Sequence, residues 1–389
     1  MSAPHKPRSG SLAFYPRKKA KRETPIFRTF PAVEGGTKVL NFLGYKAGMI
    51  HGIGRNEHQK SVSFGQMIYI PCTIIECPPI KIIGVRVYGK GLVYGSAVLG
   101  EATLDKAGKH IRRKIRNFKQ KSKKREAKEE SKEAKYTTID MLEKLLGKAT
   151  DVKLLAESQP SMADFGRKIP DVFEIGMNGN VNEKFAFAKD KFGKEIRVAD
   201  VFQEKQFIDV KAVDKGKGMQ GVVKRFGVKT QRSKAKTRRI VGSIGPWKPR
   251  TVMWTVARPG QMGYQTRTEL NKRIMRISSD TSKINVPEGY KLYGEVKNDY
   301  IVVAGSVPGP AKRAIGLRFS VRKNVNDSFN VADLVFIGTR AKDKKLEGIQ
   351  VDAKAEKVVV KKEEKKQHSS VDDEIRAAAK TGAAGNEKK

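Results

Sequence analysis

The sequence predicts a mainly β chain, a barrel of short strands interrupted by an α/β insertion, with a long basic loop and an N-terminal extension. Three observations carry this. Two β-rich halves, near 38–100 and 200–340, are built of short Ile-, Val- and Tyr-rich runs punctuated by Gly, Pro and Asn. Between them, 101–199 mixes helical and strand patterns. Within the second half, Lys215–Arg276 holds seventeen Lys and Arg against one acid, Glu269, and no apolar face that could bury itself.

In order along the chain, residues 1–37 carry eight Lys and Arg and prolines at 4, 7, 16, 25 and 31. They read as an extended arm that orders only on a polyanion. VLNFLGYKAGMI mixes apolar residues with Gly44 and Gly48 and reads as a strand followed by a tight turn. QMIYIPCTIIEC (66–77) reads as a strand stopped by Pro78-Pro79, with IKIIGVRVYGK (80–90) as its antiparallel partner. Gly84–Gly91 spells GVRVYGKG, close to a phosphate loop, but Gly91 replaces the hydroxyl residue and the interior is strand-like, so a strand ending in a glycine turn is expected. Residues 104–135 read as a charged helix whose basic front half lies on phosphate, with pairs such as Glu129–Lys132 at helical spacing. TTIDMLEKLLG follows as a helix with Thr137 as cap and Gly147 as stop. VKLLAESQP and DVFEIGM read as strands, and NEKFAFAKDKFG as a helix closed by Gly193. KQFIDVKAVDKG, VPEGYKLYGEV, DYIVVAGSVPG, AIGLRFSV and VADLVFIG supply the later strands. Pairing between the two halves would be long-range. Residues 341–389, with thirteen Lys/Arg against ten acids, read as a disordered or weakly helical tail.

The 389 residues carry a formal charge of +39 and a pI of about 10.1. A field of that strength favours nucleic acid or an anionic membrane surface as partner. No apolar run approaches the ~20 residues of a span, and the N-terminus lacks the apolar stretch of a secretory signal. Two cysteines, Cys72 and Cys77, suit a reducing compartment and not a disulfide framework. The histidines, His5, His51, His58, His110 and His368, stand in no metal spacing with them. No nucleophile elbow, zinc-protease or cofactor motif is present. Catalytic residues, metal ligands, cofactors and a small-molecule substrate are therefore not expected, and the partner is read as RNA.

The central stretch, 216–276, divides by chemistry. Gly216-Lys217-Gly218 and Gly221 allow close backbone approach to phosphate, with Lys217 and Arg225 as charge partners. The run from Lys229 through Arg232, Lys234 and Lys236 to Arg238 and Arg239 has no acid and no amphipathic period, so phosphate contacts would order it. Gly245-Pro246-Trp247-Lys248-Pro249-Arg250 is a proline-stiffened loop, and Trp247 is either a small-core anchor or a platform for a base. The return carries Arg258, Gln261, Tyr264, Arg267, Lys272 and Arg273, where Arg both binds phosphate and stacks. In the arm, Arg8, Arg17, Lys18, Lys19, Lys21 and Arg22 are the candidate contacts.

KGKGMQGVVKRFG (215–227), GPWKPRTV (245–252), ARPGQMGYQTRTELNKRI (257–274) and GYKAGM (44–49) resemble large ribosomal subunit protein three, the universal "L-three" family, in its archaeal/eukaryotic form. The family signature falls on Phe202, Asp209, Ala212, Asp214, Gly216, Lys217, Gly218, Gly221 and Arg225; Asp214 departs from its Ser/Thr. The resemblance covers about residues 38–340. It implies a closed β-barrel of the translation-protein type, with the arm and the central loop reaching into large-subunit rRNA. It places Trp247 at the tip of a finger that approaches the peptidyl-transferase centre and tunes aminoacyl-tRNA accommodation. It also implies binding near the 3′ end of that rRNA early in assembly, L-fourteen and L-twenty-four-e type neighbours, and a cytoplasmic, ribosomal location. Eukaryotic members carry a modifiable His after the Arg-aromatic pair; Gly227 stands here, so that modification is not carried over. An RNA-modifying enzyme and a DNA-compacting protein are the alternatives.

Overall fold

Residues 10–33, 35–56, 58, 60–91, 95–104, 108–115, 139–230, 234 and 239–322, with the backbone of 331–338, are described by the structure, a computed structural model. Strand β1 (Asn41–Asn56) is one strand of 16 residues. The turn expected at Gly44 or Gly48 is absent, because these glycines make space rather than a bend. A Cβ on Gly44 would lie 2.6 Å from Ile75 Cγ2 and 2.8 Å from Cys77 Sγ; one on Gly48 would lie 2.7 Å from the Tyr290 ring. Glycine inside a strand marks such a close approach.

β1 forms an antiparallel hairpin with β2 (Met67–Glu76), Tyr45 opposite Glu76 and Arg55 opposite Met67. The other edge of β2 is taken by β12 (Tyr300–Ala304). The pairing expected between β2 and β3 (Ile80–Lys90) therefore does not occur. Both edges of β2 are occupied, and Pro78 and Pro79 supply no amide hydrogens where a ladder would continue. β3 opens a second sheet instead. It pairs with β4 (Ser96–Thr103), β5 (Ala149–Glu157) and β7 (Glu195–Ile196), and β6 (Val172–Ile175) pairs with β5. The phosphate-loop look-alike lies in β3, where a Cβ on Gly84 would meet the Ala102 carbonyl at 2.8 Å.

The first sheet is completed by β8 (Phe207–Val213), β11 (Thr266–Ser278), β13 (Ala314–Phe319) and β14 (Val331–Gly338). Its order is β13-β8-β11-β12-β2-β1-β14, and β13 also pairs with β1. The pairings thus pass from β1 through β2, β12, β11, β8 and β13 and return to β1. The long-range pairing expected between the two halves is present at β1–β13, β2–β12 and β1–β14. VPEGYKLYGEV is not a strand. Gly289, Leu292 and Gly294 have positive φ, and only Tyr290 bridges, to Gly294.

One apolar cluster runs from the first sheet into the second. Tyr45 crosses the seam, with its hydroxyl 2.8 Å from Ser158 Oγ and 3.1 Å from Asp171 Oδ2. Glu76 is buried at the same seam and accepts from Lys297 N and Asn298 N, both at 3.0 Å, and from the Tyr293 hydroxyl. A buried carboxylate so supplied with donors is tolerated. Cys72 and Cys77 are buried free thiols, and burial pushes Cys72 up to about 11, so it stays a thiol. The helix Val181–Lys191 starts with a capping box between Asn180 and Glu183, followed by Gly193. The helix expected over 137–147 is Ile139–Glu143, and Gly147 lies in the turn Leu146–Lys148. Of the charged helix expected over 104–135, the described residues 104 and 108–115 hold only the single 3-10 turn Ile111–Arg113; the rest of that stretch, Thr137 and the tail 341–389 lie outside the described residues.

Candidate nucleic-acid interface

β8 and β11 do not end where their regular pairing ends. Asp214 N donates to Gln265 O at 2.9 Å, Lys217 N to Met262 O at 3.0 Å and Met262 N to Gly218 O at 2.9 Å. β9 (Met219–Gln220) and β10 (Gly260–Gln261) extend this ladder. The chain therefore leaves and re-enters the sheet along a zipped stem. Gly263 is required in it: its φ is +72°, and a Cβ there would lie 2.2 Å from Lys215 O.

The outgoing strand turns into a short helix, Val222–Phe226, stopped by Gly227 in the left-handed conformation. From it Arg225 reaches across the stem, Nε donating to Gln261 O at 3.2 Å and Nη1 to Arg258 O at 2.9 Å. Partial burial, with Arg17 alongside, lowers the Arg225 pKa. Asp214 makes a matching clasp, accepting from Gln265 N at 2.7 Å and from Arg267 Nε at 3.3 Å.

Described arm residues run along the stem and the first sheet. The Arg17 guanidinium sits 4.5 Å from the Phe226 ring and 5.5 Å from the Tyr15 ring, and donates to Arg225 O at 3.3 Å. Tyr15 meets Trp254 edge-on at 5.4 Å. Farther on, Tyr264 Oη donates to Glu23 at 2.8 Å, and that carboxylate, which also pairs with Arg313 at 3.0 Å, raises the Tyr264 pKa. Thr24 donates to Asp171 at 2.8 Å, and Arg318 to Thr29 O at 2.7 Å. Pro25 and Phe27 pack on Gly316 and Phe30 on Gly176, where a Cβ would collide with them. The expectation that the arm orders only on a polyanion is corrected for residues 10–33. Aromatic and proline side chains interleaved with the cations give it protein contacts of its own.

Toward the tip of the loop the described residues are more open to solvent. Trp247 is 82% exposed, and Ile240, Ile244, Met253 and Trp254 are exposed with it. That excludes the core-anchor reading of Trp247. Lys234, Arg239, Lys248 and Arg250 are exposed and have no carboxylate within ion-pair distance among the described residues. Exposed apolar side chains and exposed cations therefore share the described part of this loop.

The ribosomal protein L3 family model matches residues 1–359. The chain belongs to the ribosomal protein L3 family. Relatives named large ribosomal subunit protein uL3 include that of Methanocaldococcus jannaschii, 40% identical over 345 residues, covering 88% of this chain and 98% of its own length. That of Methanobrevibacter smithii is 40% identical over 344 residues, covering 87% and 98%. That of Methanococcus vannielii is 41% identical over 342 residues, covering 87% and 98%. As a member of the L3 family the chain is a structural protein and not an enzyme, which removes the RNA-modifying alternative. Among the described residues there is no group of three or more His, Cys, Asp or Glu placed to hold a metal, and no helix long and apolar enough to cross a membrane.

Of the L3-family site residues predicted from sequence, Lys217, Lys229, Lys234, Arg239, Trp247, Lys248, Arg250, Arg258 and Arg267 are exposed, as are Lys18, Lys19, Lys21 and Arg22 of the arm. Others work inside the protein. Arg225 is spent on the stem as described, and Arg17 packs against it with no carboxylate partner among the described residues. The Gln261 amide donates to Met262 O at 3.1 Å and Gly263 O at 2.9 Å. Lys272 pairs with Glu269 at 2.8 Å. Arg273 is only 6% exposed and lies 6.0 Å from the Phe207 ring, because β11 extends through residues expected in the loop. Arg8, Arg232, Lys236 and Arg238 lie outside the described residues. The sequence reading passes over Trp254, a second indole 64% exposed, and its neighbour Tyr15. The signal was there in VMWTV, two valines around a Met-Trp pair in an otherwise cationic stretch.

Proposed function

We propose that this chain is a structural constituent of the large ribosomal subunit that binds its rRNA, near the 3′ end, and supports early subunit assembly. Its place is the ribosome in the cytoplasm, beside neighbours of the L-fourteen and L-twenty-four-e type. Family membership supports the setting. The observation that carries the interface is the Trp247 loop, an exposed indole among cations that no protein carboxylate neutralises among the described residues. Phosphate supplies the missing counter-charge and bases supply the stacking surface. The strand circuit through β1, β2, β12, β11, β8 and β13 supports a closed barrel of the translation-protein type. On that scaffold 1–37 form the arm, 216–276 the stem and loop, 101–199 the insertion and 341–389 the tail. The exposed cations named above hold the loop on phosphate, and Trp247 approaches the peptidyl-transferase centre and tunes aminoacyl-tRNA accommodation.

Sedimentation tests the assignment: the chain stays with large subunits through high salt, and recovery in free or nucleoid fractions overturns it. Trp247→Ala tests the tip. Little protein packing depends on so exposed a side chain, so the variant melts like wild type and enters subunits, while tRNA accommodation or drug response at the peptidyl-transferase centre changes. A variant that unfolds, or assembled subunits with unaltered accommodation and drug response, removes that role.

A further inference from the structure

A cavity of about 170 Å³ lies at the loop stem. Its lining joins three stretches: Arg17 of the arm, Asp214 and Lys217 on the outgoing strand, and Gln265 and Arg267 on the return. Three cations thus face one carboxylate, and that carboxylate is already engaged. Asp214 Oδ1 accepts from Gln265 N at 2.7 Å and Oδ2 from Arg267 Nε at 3.3 Å. No carboxylate reaches Lys217 among the described residues.

A second observation is independent of charge. Gln265 Oε1 accepts from Arg267 Nη2 at 3.0 Å, which fixes the orientation of its amide. Its Nε2 is then buried and has no hydrogen-bond partner among the described residues. A buried donor left in this way is unfavourable unless an acceptor completes it. Uncompensated positive charge together with an unmatched donor calls for a small oxyanion, and the cavity holds the volume of several waters, at roughly 30 Å³ each.

We propose that this cavity takes one phosphodiester group of RNA, held by the charges of Lys217, Arg267 and Arg17 and by a neutral hydrogen bond from Gln265 Nε2. The proposal rests on the reading of the loop as an rRNA interface and adds a specific seat at its root. A phosphate there fastens arm, outgoing strand and return together where the loop leaves the sheet.

The test titrates the full chain with a large-subunit rRNA fragment over a range of salt, and separately with inorganic phosphate alone. Lys217→Gln lowers the log–log salt slope by about one unit, the signature of one phosphate no longer neutralised. Gln265→Leu removes no charge, so it weakens RNA binding about tenfold and leaves the slope unchanged. Gln265→Glu keeps an acceptor for Arg267 and so keeps the wild-type melting temperature, yet it weakens RNA binding more than Gln265→Leu does. Variants that bind RNA like wild type overturn the cavity site while the loop reading survives. Absence of RNA binding by the wild-type chain overturns both. If inorganic phosphate raises the wild-type melting temperature and Gln265→Leu abolishes that rise without changing RNA affinity, the seat belongs to a free anion and the RNA assignment falls.

Discussion

Asp209 is 0% exposed, and its carboxylate accepts from three residues far from it in sequence. It accepts from Arg318 Nη2 at 2.7 Å on β13, from Asn271 N at 3.2 Å on β11 and from Val321 N at 3.2 Å. Arg318 in turn lies 4.9 Å from the Phe27 ring of the arm. A buried ion pair adds little net stability, because both charges lose water; removing one partner is a different matter, since the other charge stays buried. Asp209→Ala is therefore expected to cost about 3–5 kcal/mol. A urea melt measures this, and a loss below about 1 kcal/mol would show that the guanidinium finds water or another acceptor. Asp209 belongs to the signature through which the sequence resembles its family. The structure makes it a support for the root of the loop, and gives Arg225 the same kind of task. A signature residue in a basic stretch reads as a ligand contact from sequence alone, because the carbonyls it serves, at Arg258 and Gln261, lie more than thirty positions away.

At the scale of elements, the glycines of β1 decide a pairing. Gly44 faces Ile75, Cys77 and the Glu76 carbonyl, the last 2.9 Å from where a Cβ would stand. One of these neighbours is backbone and cannot rotate away, so Gly44→Ala forces β1 and β2 apart. The expected cost is about 1–3 kcal/mol, as for other insertions into a packed site. Gly147→Ala, with nothing within 4 Å of its Cβ position, is the control, and equal melting points for the two variants would refute the spacing argument. This also marks what the sequence could reveal. Strand identity was legible at 66–77, 80–90, 205–216, 300–304, 314–319 and 331–338, where apolar alternation is local. Strand partnership was not, since whether β2 meets β3 or β12 depends on edges occupied by residues more than two hundred positions away. The glycines of β1 were misread for the same reason, as their justification is the Tyr290 ring and the β2 backbone. The exposure of Trp247, Lys248 and Arg250 follows from local composition, with no nonlocal contact to override it among the described residues. The docking of the arm was not legible, because eight cations overshadow Tyr15, Phe27 and Phe30.

The whole molecule carries +39, and its distribution decides how it behaves in salt. Several cations that border the sheets are paired: Arg86 with Glu101 and Glu174, Arg167 with Asp171, Lys184 with Asp151, Arg313 with Glu23. These charges are already neutralised and contribute little to counterion release. The loop beyond the stem is different, since Lys234 and Arg239 find no carboxylate among the described residues. Each phosphate that a cation neutralises contributes about 0.9 unit of log–log salt slope on duplex nucleic acid and about 0.7 on single strands. Neutralising Lys234, Lys236, Arg238 and Arg239 to Gln together should thus flatten the slope by roughly three units, while the melting temperature of the free chain stays put or rises as self-repulsion falls. Replacing paired cations such as Lys184 and Arg86 should do the reverse, lowering the melting temperature and leaving the slope near its wild-type value. If the four loop substitutions leave the slope unchanged, the loop cations do not meet phosphate, and the RNA-binding charge must lie elsewhere in the chain.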